Sequence, residues 1–245
     1  ITYGDWSSDV CSSDLGVLAD LDCDGTDDLV LASRGVATYR GLGGCTFAPP
    51  VVTPGTFCPT APARYLVPTD VDRDGLDDLV TSCAAQGGSP PFHLLLARGD
   101  GKLDARPIEG QALVSSSSSY RPFGALVDDV DGDGLADAFF PSEGGTAWFS
   151  WGGAGEPPAF TRDDALTLLV GGVNAMSVSA LDVDRDGRDE WFVSGNTNGN
   201  LLLRGTGRAW ANEAAARGGQ GTLGPAPPND QVQSWTSYPF DADLD

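Results

Sequence analysis

The stretch that decides the fold is DVDRDGLDD at residues 70–78, because it recurs along the chain with the same spacing of acidic residues. DLDCDGTDD stands at residues 20–28, DVDGDGLAD at 129–137 and DVDRDGRDE at 182–190, and a shorter DADLD stands at 241–245. The copies begin 50, 59, 53 and 59 residues apart. A recurring unit of this length indicates stacked supersecondary units.

Short apolar runs flank every complete copy. RYLVPT precedes residues 70–78, LVTSC follows them, and a third run, FHLLLAR, comes next. Gly-rich turns then lead to a weaker edge segment, such as residues 45–49 or 102–105, which makes about four strands per unit. Four strands in about 50–60 residues are typical of a β-propeller blade. The sequence predicts an all-β propeller of four-stranded antiparallel blades, with residues 209–217 as the one short helix candidate.

Each repeated loop has the donor set of a hard-cation site. Numbered from 1 to 9, the loops carry carboxylates at positions 1, 3, 5 and 9 and glycine at position 6. Ca²⁺ takes six to eight oxygen ligands from carboxylates and carbonyls, and glycine permits the bend that returns position 9 to the others. The side chain at position 7 varies, so its backbone carbonyl is the predicted ligand there. The residues at position 7 are Thr26, Leu76, Leu135 and Arg188.

Two other metal sites are excluded by the same residues. An EF-hand needs a glutamate at position 12 and flanking helices, whereas position 12 lies in strand-like runs and is Leu31, Thr81, Phe140 or Val193. A zinc site needs a Cys/His set, which none of the loops has. A solvated acidic turn without metal is the remaining alternative, and four aligned copies argue against it.

The formal net charge of -21 comes mainly from the loops. The five loops, together with Asp128, hold 23 of the 35 acidic residues, and the other 12 face 14 arginine and lysine residues. The acidity is therefore local, unlike that of a disordered acidic tail or a halophile surface. Nucleic acid is excluded as a partner because the sign of the charge is wrong, and no apolar run is long enough to insert into a membrane.

The loops and their flanking strands resemble FG-GAP repeats, also called VCBS-type repeats, the units of the integrin α-subunit propeller. The likeness spans residues 16–245 and implies that each loop joins the first two strands of a blade and binds Ca²⁺. Glu190 departs from the usual aspartate at position 9, and the short copy lacks its glycine and last ligand, so Asp241, Asp243 and Asp245 alone are a weaker site. The side-chain ligands that the resemblance implies are Asp20, Asp22, Asp24 and Asp28; Asp70, Asp72, Asp74 and Asp78; Asp129, Asp131, Asp133 and Asp137; and Asp182, Asp184, Asp186 and Glu190.

The two ends of the chain carry separate expectations. GDWSSDVCSSDL at residues 4–15 resembles the translation of a sequencing-library adapter, so residues 1–15 are interpreted as a non-native leader. Propellers of the family commonly have seven blades. About four blades and the start of another are predicted within residues 16–245, so the chain is interpreted as a fragment.

Several other residues that could have a functional role are expected to be structural instead. Arg98-Gly99-Asp100 spells an adhesion tripeptide but falls where a turn between the last two strands of a blade is expected. His93 and five of the tryptophans, at 148, 151, 191, 210 and 235, are expected to pack in the core. Without Cys11 of the leader, Cys23, Cys45, Cys58 and Cys83 allow three pairings, and the sequence does not choose between them.

Three function hypotheses follow. The favoured one is a non-catalytic, extracellular or cell-surface module for adhesion, stabilised by Ca²⁺, whose partner is an unidentified protein or glycan. The second is part of a carbohydrate-active enzyme resembling polysaccharide lyases, or a lectin. One histidine, one lysine and the scattered Glu109, Glu143 and Glu156 supply no evident catalytic set. The third is an architectural spacer in a longer surface protein.

Overall fold

The computed structural model describes residues 15–33, 35–53, 57–58, 62–83, 85–86, 90–108, 119–120, 124–142, 148–155, 157–171, 175–195 and 199–216. The chain divides into two compact units, Ile1–Ser119 and Tyr120–Asp245. The described residues form four four-stranded antiparallel sheets, which confirms an all-β fold of propeller blades. None of the helices in this described part has the length and apolarity that crossing a bilayer requires.

The first unit contains two of these sheets, called here blades 1 and 2. Blade 1 follows chain order and consists of β1 (Leu15–Ala19), β2 (Asp28–Ala32), β3 (Val36–Tyr39) and β4 (Val51–Thr53). Blade 2 has the order β5-β6-β8-β9, and β7 lies between its second and third strands in sequence. The bounds are β5 (Ala63–Thr69), β6 (Asp78–Cys83), β7 (Ala85–Gln86), β8 (Phe92–Ala97) and β9 (Leu103–Pro107).

The short strand β10 (Ser119–Tyr120) precedes the second unit's two sheets, blades 3 and 4. Blade 3 consists of β11 (Leu126–Asp128), β12 (Asp137–Phe140), β13 (Trp148–Gly153) and β14 (Ala159–Arg162). The helix α1 (Asp164–Gly171) follows it in sequence. Blade 4 consists of β15 (Ala175–Leu181), β16 (Glu190–Gly195), β17 (Leu201–Thr206) and β18 (Ala209–Asn212).

The burial of each strand reflects its place in the blade. In β2 the side chains alternate between buried and half-buried, as expected of a strand with one face toward the core. The inner strands β6 and β8 are buried at every position, because other elements cover both of their faces. Each unit has its own apolar core: Val30, Leu79 and Leu95 are fully buried in the first, and Phe139 and Val193 in the second.

The strand register places every acidic loop between the first two strands of its blade. Ala19 pairs with Asp28, Thr69 with Asp78, Asp128 with Asp137, and Leu181 with Glu190. Position 9 is therefore the first residue of the second strand in each case. Positions 1 to 8 form the connection between the strands, as the sequence predicts.

The helix prediction was wrong in two places. Residues 209–212 form β18, because they pair with β17 across a hairpin in which Gly207 has a φ of 55°. The helix lies instead at Asp164–Gly171, where the Leu166 N–H donates to Asp163 Oδ1 at 2.9 Å and caps the first turn. Eight residues are too few to show a helical period in sequence.

The first blade's edge strand also differs from the prediction at residues 45–49. It lies at Val51–Thr53, and only the single bridge between Gly41 and Phe47 occurs within the predicted segment. Cys45 has a φ of 59° in a turn, and two prolines precede Val51, neither of which has an N–H for a ladder. Strand β1 begins at Leu15, the last residue of the predicted leader; residues 1–14 lie outside the described part.

Candidate metal centres in the strand-connecting loops

The four loops at residues 20–28, 70–78, 129–137 and 182–190, called here loops 1 to 4, share one hydrogen-bond pattern. The carboxylate at position 1 accepts backbone N–H groups from the turn that follows it. In loop 1, Asp20 accepts from Asp24 at 3.2 Å and from Gly25 at 2.9 Å. Loops 2 and 4 repeat both bonds, and in loop 3 the donors are Gly132 and Gly134. The aspartate at position 1 therefore organises each loop locally.

The carboxylate at position 5 also makes the same bond in every loop. It accepts the N–H of position 7, at 2.9 Å between Thr26 N and Asp24 Oδ1 in loop 1. Loops 2, 3 and 4 repeat this bond at 2.9, 2.8 and 3.0 Å. Each bond satisfies the backbone N–H of position 7 but does not involve its carbonyl group. The predicted contribution of the carbonyl groups of Thr26, Leu76, Leu135 and Arg188 to a metal site stays a prediction.

Two positions in each loop have left-handed backbone. Glycine at position 6 has φ between 80° and 88° in all four loops. Position 4 is also left-handed, at 57° for Cys23, 63° for Arg73, 60° for Arg185 and 78° for Gly132. Left-handed φ angles favour glycine, so position 6 was readable from the sequence. The left-handed backbone at position 4 was not readable from the sequence, because cysteine, arginine and glycine all occur there.

The acidic residue at position 9 is buried and bonded to backbone. Asp78 is 0% exposed, and its two oxygens accept the N–H groups of Val71 at 3.2 Å and Ala97 at 2.7 Å. Asp137 accepts likewise from Val130 and Gly152. In loop 4, Glu190 accepts from Val183 at 2.9 Å, and its other oxygen lies 3.3 Å from Arg204 Nε. Position 9 thus joins the loop to the third strand of its blade.

Burial disfavours the ionised form of the carboxyl groups at position 9. It raises the pKa of Asp78 to about 6 and the pKa of Asp137 to about 6, although the backbone donors act in the opposite direction. The pKa of Asp28 is raised for the same reason. A divalent cation beside such a group favours its charged form, so these positions are chemically suited to one.

Three carboxylates converge in every loop, with one oxygen from each lying within 4.8 Å of the others. Positions 1 and 3 belong to all four clusters. Position 5 completes the cluster in loop 1, and position 9 completes it in the others. The clusters are Asp20, Asp22 and Asp24; Asp70, Asp72 and Asp78; Asp129, Asp131 and Asp137; and Asp182, Asp184 and Glu190.

One atom of loop 1 indicates that a cation fits there. Asp22 Oδ1 is buried and has no hydrogen-bond partner, whereas Oδ2 of the same side chain pairs with Arg40. An unsatisfied buried carboxylate oxygen is unfavourable by about 1–3 kcal/mol, and a hard cation would satisfy it. Oxygen-only donors at this spacing suit Ca²⁺ better than a transition metal. The residues of the short fifth copy, Asp241, Asp243 and Asp245, lie outside the described part.

Arginine residues that the sequence reasoning missed reach three of the loops. Arg40 contacts Asp22 and Asp24, both at 2.8 Å. Arg204 contacts Asp184 at 2.6 Å and Asp186 at 2.8 Å, and Arg208 reaches loop 3. Two of these arginines occupy equivalent places in their blades. Arg40 and Arg204 each come directly after the third-strand residue that pairs with the first residue beyond the loop.

Loops 1 and 2 are also joined directly. The Asp20 N–H donates to Asp77 Oδ2 at 3.0 Å, and the Asp77 N–H donates to the Asp20 carbonyl at 3.1 Å. In the second unit the corresponding Asp129 N–H donates to its neighbour, Asp128 Oδ1, at 2.8 Å. A cavity of about 570 Å³ lies beside Asp128 and Asp129, and its lining also includes Asp189 and Trp210.

The structure places the remaining predicted features in structural positions. Arg98-Gly99-Asp100 lies in the turn between β8 and β9, where the Lys102 N–H donates to Asp100 Oδ1. Three tryptophans are buried, at 4% exposure for Trp148, 3% for Trp151 and 2% for Trp191, whereas Trp210 is half-buried. Trp235, Glu109, Glu143 and Glu156 lie outside the described residues.

The four cysteines in the described part of the chain form one disulfide and two free thiols. Cys58 bonds to Cys83, with their Cα atoms 5.6 Å apart, and Cys23 and Cys45 are free and exposed. His93 packs beside the disulfide: its Nδ1 lies 3.5 Å from Cys83 Sγ, and its ring meets Phe57 edge-on. His93 is therefore a core residue, as the sequence predicts.

Comparison with known proteins agrees with this geometry. A family model described as an FG-GAP-like repeat matches residues 20–81 and 129–193. A solved structure of an Agrocybe aegerita lectin, described as recognising non-reducing terminal N-acetylglucosamine, superposes with a TM-score of 0.54 at 17% identity. That match covers 82% of this chain and 52% of the lectin, so the chain spans about half the lectin's length. No curated protein sequence matches the chain.

Proposed function

Because the chain belongs to the FG-GAP-like repeat family, we propose that it is an extracellular binding module whose loops are stabilised by Ca²⁺ and whose ligand is a glycan or a protein. The observation that carries this proposal is the convergence of three carboxylates at the same place in all four blades. A fold alone does not imply a function. A donor set repeated four times implies a shared chemical requirement.

The residues that would hold the ion are the acidic residues at positions 1, 3, 5 and 9. Bound Ca²⁺ supplies positive charge that offsets the mutual repulsion of these carboxylates. The orphaned Asp22 Oδ1 and the buried Asp78 and Asp137 are the groups that gain most from such an ion. Because an ion that binds only the folded chain stabilises it by linkage, melting should depend on Ca²⁺ concentration.

The disulfide supports an extracellular location. Cys58 and Cys83 are 0% and 1% exposed and are joined within the core of the first unit. Structural disulfides persist in oxidising compartments and are rare in the cytosol. Extracellular Ca²⁺-binding modules work at affinities of about 10⁻⁴–10⁻³ M, a range that surface-exposed carboxylate loops can reach.

A glycan is the first ligand to test, because the Agrocybe aegerita lectin has a similar fold. Sugars commonly stack on exposed aromatic rings, but Trp148, Trp151 and Trp191 are buried within the two blades of the second unit. We therefore expect recognition through hydrogen bonds from sugar hydroxyls to backbone groups and to polar side chains outside the ion-binding positions. A protein ligand is the alternative, and the third hypothesis, an architectural spacer, predicts neither.

A carbohydrate-active enzyme resembling polysaccharide lyases is the alternative from another class. Such chemistry needs an accessible base. His93, the chain's single histidine, is 4% exposed. Lys102, the single lysine, pairs with Asp100 at 2.9 Å in the turn after β8. These two residues favour binding over catalysis in the first unit.

The test combines metal and ligand measurements on the full chain. Isothermal titration with Ca²⁺ after EGTA treatment, with Mg²⁺ as the control cation, should give saturable heats and a higher melting temperature with Ca²⁺. A glycan array that includes terminal N-acetylglucosamine, run with Ca²⁺ and with EGTA, separates lectin from protein binder, and a lyase assay tests the enzyme. An unchanged melting temperature and no heat would remove calcium from the proposal.

A further inference from the structure

We propose that Asp100 is a site of spontaneous isomerisation to isoaspartate, and that the aspartates at position 1 of loops 1 to 4 protect the Asp-Gly dipeptides of those loops from the same reaction. This modification site goes beyond the proposed function and does not depend on calcium binding. The inference rests on a difference in the hydrogen bonding of the glycine N–H groups.

The chain contains six Asp-Gly dipeptides, each of which has the atoms needed to form a cyclic imide. The glycine nitrogen attacks Cγ of the aspartate, and glycine has no side chain to hinder that approach. The new C–N bond closes a succinimide ring, and one carboxylate oxygen leaves as water. Water then adds to the former main-chain carbonyl and breaks its bond to nitrogen, so the chain continues through the side-chain carboxyl as isoaspartate. The six aspartates are Asp24, Asp74, Asp100, Asp131, Asp133 and Asp186.

Five of these dipeptides lie in the loops, and in each of them the glycine N–H donates to the carboxylate at position 1. In loop 1, Gly25 N lies 2.9 Å from Asp20 Oδ2. A charged acceptor strengthens such a bond. The bond opposes loss of the N–H proton and holds the nitrogen in place, and both effects slow attack on Cγ. The other bonds are Gly75 to Asp70 at 3.1 Å, Gly132 and Gly134 to Asp129 at 2.9 and 2.7 Å, and Gly187 to Asp182 at 2.8 Å.

The sixth dipeptide, Asp100-Gly101, lies in the turn between β8 and β9 and lacks this bond. Within the described part of the chain, the Gly101 N–H donates to no carboxylate and no carbonyl. The hydrogen bonding is otherwise alike, because Asp100 Oδ1 accepts the Lys102 N–H at 3.0 Å, as Asp24 accepts the Thr26 N–H at 2.9 Å in loop 1. The bond made by the glycine N–H therefore distinguishes the two kinds of dipeptide.

Asp100 is also accessible to water and to a proton donor. Its side chain is 53% exposed, and that of Lys102 is 59% exposed. The hydrogen bond from the Lys102 ammonium holds the pKa of Asp100 below its usual range, so the carboxyl group is ionised at neutral pH. The departing oxygen then needs a second proton besides the one released by the glycine nitrogen. Lys102 Nζ lies 2.9 Å from Asp100 Oδ2 and is placed to supply it, and opening of the ring returns a proton to the solvent.

Isomerisation would change the backbone at a junction between two blades. It inserts a methylene group into the main chain at Asp100, shortly before β9. Leu103 is the first residue of β9, and its N–H donates to Thr53 Oγ1 at 3.2 Å, at the end of β4 in blade 1. Asp100 is also the third residue of the tripeptide at residues 98–100. The reaction therefore alters an exposed turn of the first unit without any enzyme.

The experiment follows isoaspartate formation in the full chain during incubation at neutral pH with EGTA, so that bound calcium does not contribute. Peptide mapping with electron-transfer fragmentation separates isoaspartate from aspartate at each dipeptide. Isoaspartate should accumulate at Asp100 about tenfold or more faster than at any loop aspartate. In the chain unfolded in urea, the six dipeptides should react at similar rates. If the unfolded chain also prefers Asp100, or if the folded loops react as fast as Asp100, the proposal is overturned.

Asp70→Asn tests the protection directly. It replaces the oxygen that accepts the Gly75 N–H with an amide group that does not accept, so isoaspartate should now appear at Asp74. Asp24 and Asp186 should stay unmodified in the same molecule, which shows that the variant is folded.

Asp182→Asn makes the same change in loop 4 and should expose Asp186 to the reaction, so the test does not depend on one variant. Asp100→Glu is the matched control, because glutamate cannot close a five-membered ring in this way, and it should abolish the modification of the turn. If Asp74 and Asp186 remain unmodified in their respective folded variants, the aspartates at position 1 do not protect the loops and the proposal is overturned. Because EGTA is present throughout, none of these outcomes depends on the proposed calcium binding.

Discussion

Asp20 and Asp77 form a reciprocal pair in which each backbone N–H finds an oxygen of the other residue, at 3.0 and 3.1 Å. Asp20 is the first residue of loop 1, and Asp77 is the eighth residue of loop 2. The two candidate metal centres of the first unit are therefore joined directly by this pair of hydrogen bonds. Ordering one loop should help to order the other, since position 1 belongs to the convergent cluster.

Asp77→Ala tests this link. The substitution leaves the partly buried Asp20 N–H without its acceptor, so we expect a loss of about 1–2 kcal/mol in the free energy of unfolding, measured with urea. Ca²⁺ affinity at loop 1 should fall with it. Asp27→Ala, the same position in loop 1, changes an exposed residue and should shift stability by less than about 0.5 kcal/mol. Equal losses in both variants would contradict the link.

Cys23→Gly should stabilise the protein. Cys23 is held at a φ of 57°, where a side chain is strained, and loop 3 has Gly132 at this position with a φ of 78°. Removing the side chain should raise the free energy of unfolding by about 0.5–1 kcal/mol in urea titration, because the relieved strain outweighs the added freedom of the unfolded chain. Cys23→Ser removes the exposed thiol but keeps a side chain, so it should leave stability nearly unchanged. A stabilisation of the same size by serine would assign the effect to the thiol.

His93 should make stability depend on pH. Burial lowers the pKa of His93 from 6.5 to about 4, so the unfolded chain binds a proton between these values and the folded chain does not. Stability is then lost as pH falls, by about 1.4 kcal/mol per pH unit through this window, and about 3 kcal/mol in total. Unfolding titrations of the wild type and His93→Gln, compared at pH 7, 5.5 and 4.5, isolate this contribution from that of the carboxylates. A difference between the two proteins that is constant with pH would show that His93 does not titrate in this way.

The double variant Cys58→Ser, Cys83→Ser should lower the free energy of unfolding by about 2–4 kcal/mol. The bond joins residues 25 apart in sequence and lies in the core of the first unit, so its loss frees the unfolded chain and leaves two buried hydroxyls. Denaturant melts provide the measurement. Cys23→Ser combined with Cys45→Ser changes the same number of sulfur atoms at exposed positions and should be nearly neutral.

The loops were the most predictable part of the molecule. The bonds accepted by positions 1 and 5 run between residues two to five apart, as from Gly25 to Asp20 and from Thr26 to Asp24. Short-range bonds of this kind depend on local residue type and spacing. The apolar runs RYLVPT, LVTSC and FHLLLAR likewise coincide nearly with β5, β6 and β8 of blade 2, whereas β18 and α1 were not predicted. β18 depends on its pairing with β17, and α1 is one short, capped segment.

The sequence by itself determined the repeat, the blade class and the acidic positions of the four loops, because each of these is encoded within a few neighbouring residues. Only the tertiary structure decided which cysteines pair, that Asp77 reaches Asp20, and that Arg208 reaches Asp131 across 77 residues. Such contacts depend on how strands align in space. No local pattern specifies that alignment, so the long-range neighbours of each candidate metal centre emerged only from the fold.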